Sequence, residues 1–247
     1  MKIKMCTLTG VDETTNLNRL VNLSESFEFA EWGILYSPAR QGTPGRYMSV
    51  ASIERTLESL PRHIKIALHI CGRGVPDLVQ AEPIVSRLVD LIAQREGRIQ
   101  LNFNAKRTPA EIRDIARCVA QLSPTRVITQ YNTNNAYVWS QINQSNHQVL
   151  FDASGGKGIQ CAQWPTPLPL ECGYAGGLGP GTIKTDLDAI AKVAQDREIW
   201  IDMEGKIRVD HDGVDVFCLD RCEQVLRETQ QWTSDNKTEN IGNCDEK

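Results

Sequence analysis

At 247 residues, 40% of them hydrophobic and 23% charged, the chain has room for one large α/β domain or two small ones. Its formal net charge of −4, with acidic and basic residues interspersed, excludes the basic footprint of a nucleic-acid binder and points to a small-molecule partner. No apolar run approaches the length of a membrane span, and residues 1–4 lead into a strand pattern without a signal-peptide core, so no membrane contact and a cytoplasmic location are expected.

Eight strands are predicted in chain order, at 2–8, 32–36, 64–70, 99–103, 126–130, 148–152, 171–175 and 198–202. Most are continuous apolar or β-branched runs, the pattern of a parallel sheet buried on both faces. Helical spacing fills the gaps. The segment 12–27 carries Leu17, Leu20, Val21 and Leu23, and 49–60 opens with Ser49 and Ser52 as candidate caps. A stripe of Ile84, Leu88, Leu91 and Ile92 marks 83–94, and Thr108-Pro109 reads as a cap followed by proline at the start of 110–121. Asn- and Gln-rich composition weakens 132–146 to a short helix over 136–142. Further helices are predicted at 185–195 and 217–232, and the polar segment 233–247 reads as a disordered tail outside the fold.

This alternation predicts a single (β/α)8 TIM barrel over residues 1–232. The rival, a doubly wound open sheet, normally shows a Gly-rich turn after its first strand, and Thr7-Leu8-Thr9-Gly10 does not supply one. In a closed barrel, strand ends distant in sequence meet at one face, so groups at the ends of different strands can share a substrate.

The eight cysteines (6, 71, 118, 161, 172, 218, 222 and 244) form no CxxC pair and no Cys/His set at zinc spacing, so neither a metal site nor a disulfide framework is expected. Cys6, in the first strand, reads either as a small buried hydrophobe or, as a thiolate at the barrel mouth, as a base. Asp152 ends its strand before a loop of small residues, where a carboxyl group serves as a general acid or as a loop cap. The stretch Gly176-Gly177-Leu178-Gly179-Pro180-Gly181 is either a phosphate cradle or an unliganded tight turn. Arg46 is a loop cation that could hold a carboxylate or stand solvated, and Gln100 and Asn102 share one strand parity, facing either inward or outward.

Together these segments resemble phosphoribosylanthranilate isomerase, the barrel enzyme of tryptophan biosynthesis. The likeness rests on Lys4-Met5-Cys6-Thr7-Leu8-Thr9, Pro44-Gly45-Arg46-Tyr47-Met48-Ser49, Leu150-Phe151-Asp152-Ala153 with the glycines at 155, 156 and 158 and Trp164, and Ala175-Gly176-Gly177-Leu178-Gly179-Pro180, in family order. The resemblance implies a cofactor-independent Amadori rearrangement, an aldose–ketose isomerisation by general acid–base catalysis. Asp152 would be the acid and Cys6 the base, with Arg46 on the substrate carboxylate, Gly176 and Gly177 on the phosphate, and Gln100 and Gly205 among the substrate contacts. It implies a sugar-phosphate partner and leaves a homodimer open. Departures point to an altered substrate: Thr7 replaces a glycine, Asn102 a histidine, residues 71–82 form an insertion, and Glu204 stands where a phosphate would be repelled unless Lys206 or Arg208 compensates. A barrel that binds a phosphorylated or carboxylated metabolite without turnover is the alternative. An interaction scaffold has no sequence support.

Overall fold

Eight parallel strands close into a barrel in sequence order, β1 pairing with both β2 and β8. The computed structural model describes residues 1–153, 155 and 163–242, with 237–242 as backbone only. The strands are β1 (Lys2–Thr9), β2 (Ala30–Tyr36), β3 (Ile66–Cys71), β4 (Arg98–Asn102), β5 (Arg126–Tyr131), β6 (His147–Asp152), β7 (Cys172–Ala175) and β8 (Glu198–Met203). Each lies within two residues of its predicted position, because runs buried on both faces and bounded by turn residues leave few alternatives.

The helices are α1 (Leu17–Ser26), α2 (Val50–Ser59), α3 (Gly74–Val79), α4 (Pro83–Ala93), α5 (Ile112–Gln121), α6 (Ile183–Ala194) and α7 (Leu219–Gly242). Ser49 caps α2 as expected, its hydroxyl accepting the Ser52 N–H at 3.1 Å, and Asn16 caps α1 by accepting from the Arg19 N–H at 3.0 Å. The Thr108-Pro109 start is corrected: Thr108 and Pro109 sit in the preceding turn, and α5 begins at Ile112 behind Glu111. Between β5 and β6 only a 3₁₀ turn forms, Trp139–Gln141. The insertion after β3 folds as α3, and an antiparallel hairpin of β9 (Arg208–His211) and β10 (Val214–Phe217) follows β8.

The expected disordered tail is corrected over 233–242, where α7 continues without a break to Gly242. Its polar side chains bond back to the helix: Thr233 donates to the Thr229 carbonyl at 2.9 Å and Asn236 to that of Trp232 at 2.9 Å. Residues 243–247 lie outside the described residues.

Two apolar regions form. The larger lies between the strands' outer faces and the helices and includes Cys6, Leu8, Trp32, Leu68, Ile99, Val149, Tyr174 and Ile201. A smaller cluster inside the barrel joins Met5, Ile128, Leu150, Ala175 and Trp200. Gly173 makes room there, since a Cβ on it would stand 2.1 Å from the Trp200 ring. Beside this plug the interior is charged. The Arg98 guanidinium pairs with buried Glu31, donates to Thr7 Oγ1 at 3.1 Å and to Gln148 Oε1 at 3.1 Å, and lies 4.7 Å over the Trp200 ring. Residues from β1, β2, β4 and β6 can meet only across the barrel axis, which fixes the inward parity of every strand involved.

Candidate active site at the barrel mouth

Two residues further along the same strands, the inward positions open into a cavity of about 160 Å³ at the C-terminal end of the barrel, where barrel enzymes place their chemistry. Thr9, His69, Gln100, Asp152 and Asp202 line its base, and Glu204, Arg46 and Lys206 line its rim.

Cys6 is not among the lining residues. Thr7 reaches Glu31 and Thr9 reaches Asp202, both inside, so Cys6 between them faces outward into the helix-side core, beside Cys222 of α7. It is fully buried, and burial pushes its thiol far above the ordinary range, reinforced by Asp202 and Glu31. The expectation that Cys6 is a base at the mouth is therefore corrected: alternation puts positions 5, 7 and 9 inside and 6 and 8 outside. Thr7 lies one layer below the mouth, in the Arg98–Glu31 group.

Asp152 does stand at the mouth, accepting a hydrogen bond from Gln130 Nε2 at 3.0 Å. Gln100 faces inward and lines the cavity, as do Gly176, Gly177 and Gly205. Gly176 and Gly177 follow β7 with φ of 112° and 72°, left-handed backbone that favours glycine and turns the loop tightly over the cavity. Lys206 follows β8 in a 3₁₀ turn (Gly205–Ile207), packs its stem against Gly179 and carries its ammonium to 3.5 Å from Thr182 Oγ1, beside the start of α6. A flexible cation, two permissive backbone positions and a helix start thus converge on one side of the cavity, an arrangement able to hold an anion.

Arg46 lines the cavity too, yet its guanidinium already meets Glu204 at 2.8 Å and Asp215 of the β9–β10 hairpin at 2.7 Å. Two protein carboxylates thus share the guanidinium that was expected to meet a substrate carboxylate. Arg46 is also what chiefly offsets Glu204. Burial raises the Glu204 pKa, with Arg46 opposing more strongly than Arg208, which is itself held by Asp12, Asp215 and the Gly10 carbonyl. Lys206 is turned toward Thr182.

Sequence reasoning missed Thr9, His69 and Asp202, which join Gln100 at the base of the mouth. Thr9 donates to Asp202 Oδ1 at 2.8 Å, Asp202 Oδ2 lies 3.8 Å from His69 Nε2, and His69 Nδ1 meets Gln100 Nε2 at 3.3 Å. Burial raises the Asp202 pKa well above the ordinary carboxyl range, with the Thr9 bond opposing. Burial depresses that of His69 to about 4, so its imidazole is uncharged near neutral pH. A signal was present: Thr7-x-Thr9, Arg98-x-Gln100-x-Asn102 and the lone polar His69 and Asp202 break otherwise apolar strands at every second position.

Among the described residues, no group of three or more His, Cys, Asp or Glu could hold a metal ion, and no helix is long and apolar enough to cross a membrane. The loop glycines 156 and 158, Lys157, and Cys161 and Cys244 lie outside the described residues.

Fold and cavity define a (β/α)8 barrel with a polar, acid-bearing mouth. No family model and no curated protein sequence matches the chain. Among solved structures, it is similar to phosphoribosyl anthranilate isomerase from Thermotoga maritima, with TM-score 0.59 and 18% identity over 92% of this chain and 98% of that one. A phosphoribosyl anthranilate isomerase in complex with reduced 1-(o-carboxyphenylamino)-1-deoxyribulose 5-phosphate gives TM-score 0.56 and 17% identity, covering 92% and 98%. The truncated 3-deoxy-D-arabino-heptulosonate 7-phosphate synthase from Thermotoga maritima gives 0.56 and 11%, covering 94% and 87%. At these identities the likeness shows the barrel fold.

Proposed function

We propose that the chain is an isomerase of a small phosphorylated sugar, moving a proton between adjacent carbons with Asp152 and Asp202 as the transferring groups. The observation that carries this reading is the convergence, on one cavity, of two carboxyl groups from different strands with the Gly176–Gly177–Lys206 side able to take an anion. Aldose–ketose isomerisation needs a base to take the proton from the carbon beside the carbonyl or imine and an acid to protonate the neighbouring heteroatom. The electron pair of the broken C–H bond forms the double bond of an enediol or enolamine, which tautomerises to the ketose with no net oxidation. Asp202, its pKa raised by burial and its carboxyl oriented by Thr9, is suited to donate. Asp152, positioned by Gln130, takes the base role, which reverses the role implied by the sequence resemblance. A similar fold in complex with a deoxyribulose 5-phosphate compound supports a phosphorylated ligand.

The test is turnover of phosphoribosylated anthranilate and of ribose 5-phosphate by the purified chain, and by Asp152→Asn and Asp202→Asn. Loss in both variants is expected, and undiminished turnover in both removes the assignment. With Arg46 already neutralised, the substrate without the aryl carboxylate is expected to be the better one. That same neutralisation, with Cys6 facing outward, favours a second reading, a barrel that binds a sugar phosphate without converting it. A rise in Tm with ribose 5-phosphate but no product would select it.

A further inference from the structure

The base of the mouth holds two buried polar atoms with no hydrogen-bond partner among the described residues, His69 Nε2 and Gln100 Oε1. Both residues are 2% exposed, sit opposite each other in the β3–β4 register and line the cavity. The Gln100 amide nitrogen is fully committed, donating to His69 Nδ1 at 3.3 Å and to Asn102 Oδ1 at 3.0 Å. Because Nδ1 accepts there, the ring proton sits on Nε2 and the imidazole presents an N–H. Asp202 Oδ2, at 3.8 Å from Nε2, is beyond hydrogen-bond range.

A buried donor on His69 and a buried acceptor on Gln100, both at the cavity base, select for the ligand group that can answer them. A phosphate or carboxylate oxygen would accept from Nε2–H but face the Gln100 carbonyl oxygen unfavourably. An ammonium would donate to Oε1 and leave Nε2–H opposed. A hydroxyl answers both, its oxygen accepting from His69 and its proton donated to Gln100.

We propose that His69 and Gln100 form a hydroxyl-reading site that makes the barrel selective for a ligand carrying a free secondary hydroxyl, a polyhydroxylated sugar phosphate rather than its deoxy counterpart. The inference rests on the sugar-phosphate reading for the anionic end of the ligand, and concerns recognition rather than turnover. His69 and Gln100 are then specificity-determining residues.

Calorimetric titration of the full chain with ribose 5-phosphate, 2-deoxyribose 5-phosphate and 3-deoxyribose 5-phosphate tests it. The parent sugar should bind about tenfold or more tightly than at least one deoxy analogue, since a site built around a hydroxyl leaves its own groups unpaired when that hydroxyl is missing. In Gln100→Leu and His69→Phe that preference should shrink to about twofold or less. The comparison of the three sugars on the unaltered chain stands even if a variant fails to fold. Equal binding of all three overturns the hydroxyl site while leaving the isomerase reading to its turnover assay. Binding of inorganic phosphate with no sugar phosphate bound also overturns it, and failure of every anion removes both readings.

Discussion

Two adjacent layers of the same barrel, built from the same strands two residues apart, solve the problem of buried polarity in opposite ways. In the lower layer Arg98, Glu31, Thr7 and Gln148 are bonded to one another, and the guanidinium is stacked on Trp200. In the upper layer Asp202 is bonded only on its Thr9 side in the hydrogen bonds described above, and His69 Nε2 and Gln100 Oε1 are unpartnered among the described residues. A closed network is complete without a ligand, and the open one has a donor and an acceptor left for one. The difference lies in the satisfaction of the groups, since both layers are deeply buried.

Removing one member of the lower layer should have the largest effect. Arg98→Met leaves Glu31 ionised without its partner and should cost about 3–5 kcal/mol in denaturant unfolding, while Arg98→Met with Glu31→Leu should recover most of that loss. A double variant no more stable than the single one would show that the pair is not a closed unit. In the upper layer Asp202→Asn should lower turnover by about 10²–10³-fold with little loss of stability, as expected where a group is held for chemistry rather than for the fold. In the parent chain, turnover should fall as pH rises through the elevated Asp202 pKa and the acid is lost.

The next effect separates the layers by pH. His69 takes up its proton near pH 6.5 when unfolded but only near 4 when folded, so between these values the unfolded chain holds the extra proton. Its contribution to stability is present above about pH 6.5 and is lost as pH falls toward 4, on the order of 2–3 kcal/mol. Asp202, with its pKa raised, works in the opposite direction and is common to both proteins, so His69→Gln should show a shallower rise in stability with pH than the parent across this window. An unchanged slope would contradict the buried neutral imidazole. Cys6→Ala should cost about 1 kcal/mol and leave turnover unchanged, the signature of a side chain packed on the helix side. A collapse in turnover would return Cys6 to the chemistry. Lys206→Ala should weaken phosphate binding by about fivefold, the loss of one partly exposed cation, with the unfolding midpoint unmoved.

The strand positions and Asp152 were legible because apolar runs and a carboxylate at a strand end are local features. Arg46 was legible as a loop cation, but its partners Glu204 and Asp215 lie far along the chain on elements that meet it only in the closed barrel. The hairpin carrying Asp215 was not anticipated, being made of two four-residue strands with no apolar run. Extension of α7 past Trp232 was hidden because the segment has almost nothing apolar to bury, whereas here Thr233, Ser234 and Asn236 bond to the helix's own carbonyls.

Element order, strand identity and closure into a (β/α)8 barrel follow from the sequence by itself, because alternating buried runs and amphipathic segments of this length admit few other packings. Which residue of each strand faces the axis was decided only by the tertiary structure. Polar alternation groups Thr7 with Thr9 and Cys6 with Leu8, but which pair faces the axis was settled by the contacts across the barrel, which place Thr7 and Thr9 inside. That parity leaves the Cys6 thiol on the helix side and the proposed acid–base chemistry with Asp152 and Asp202.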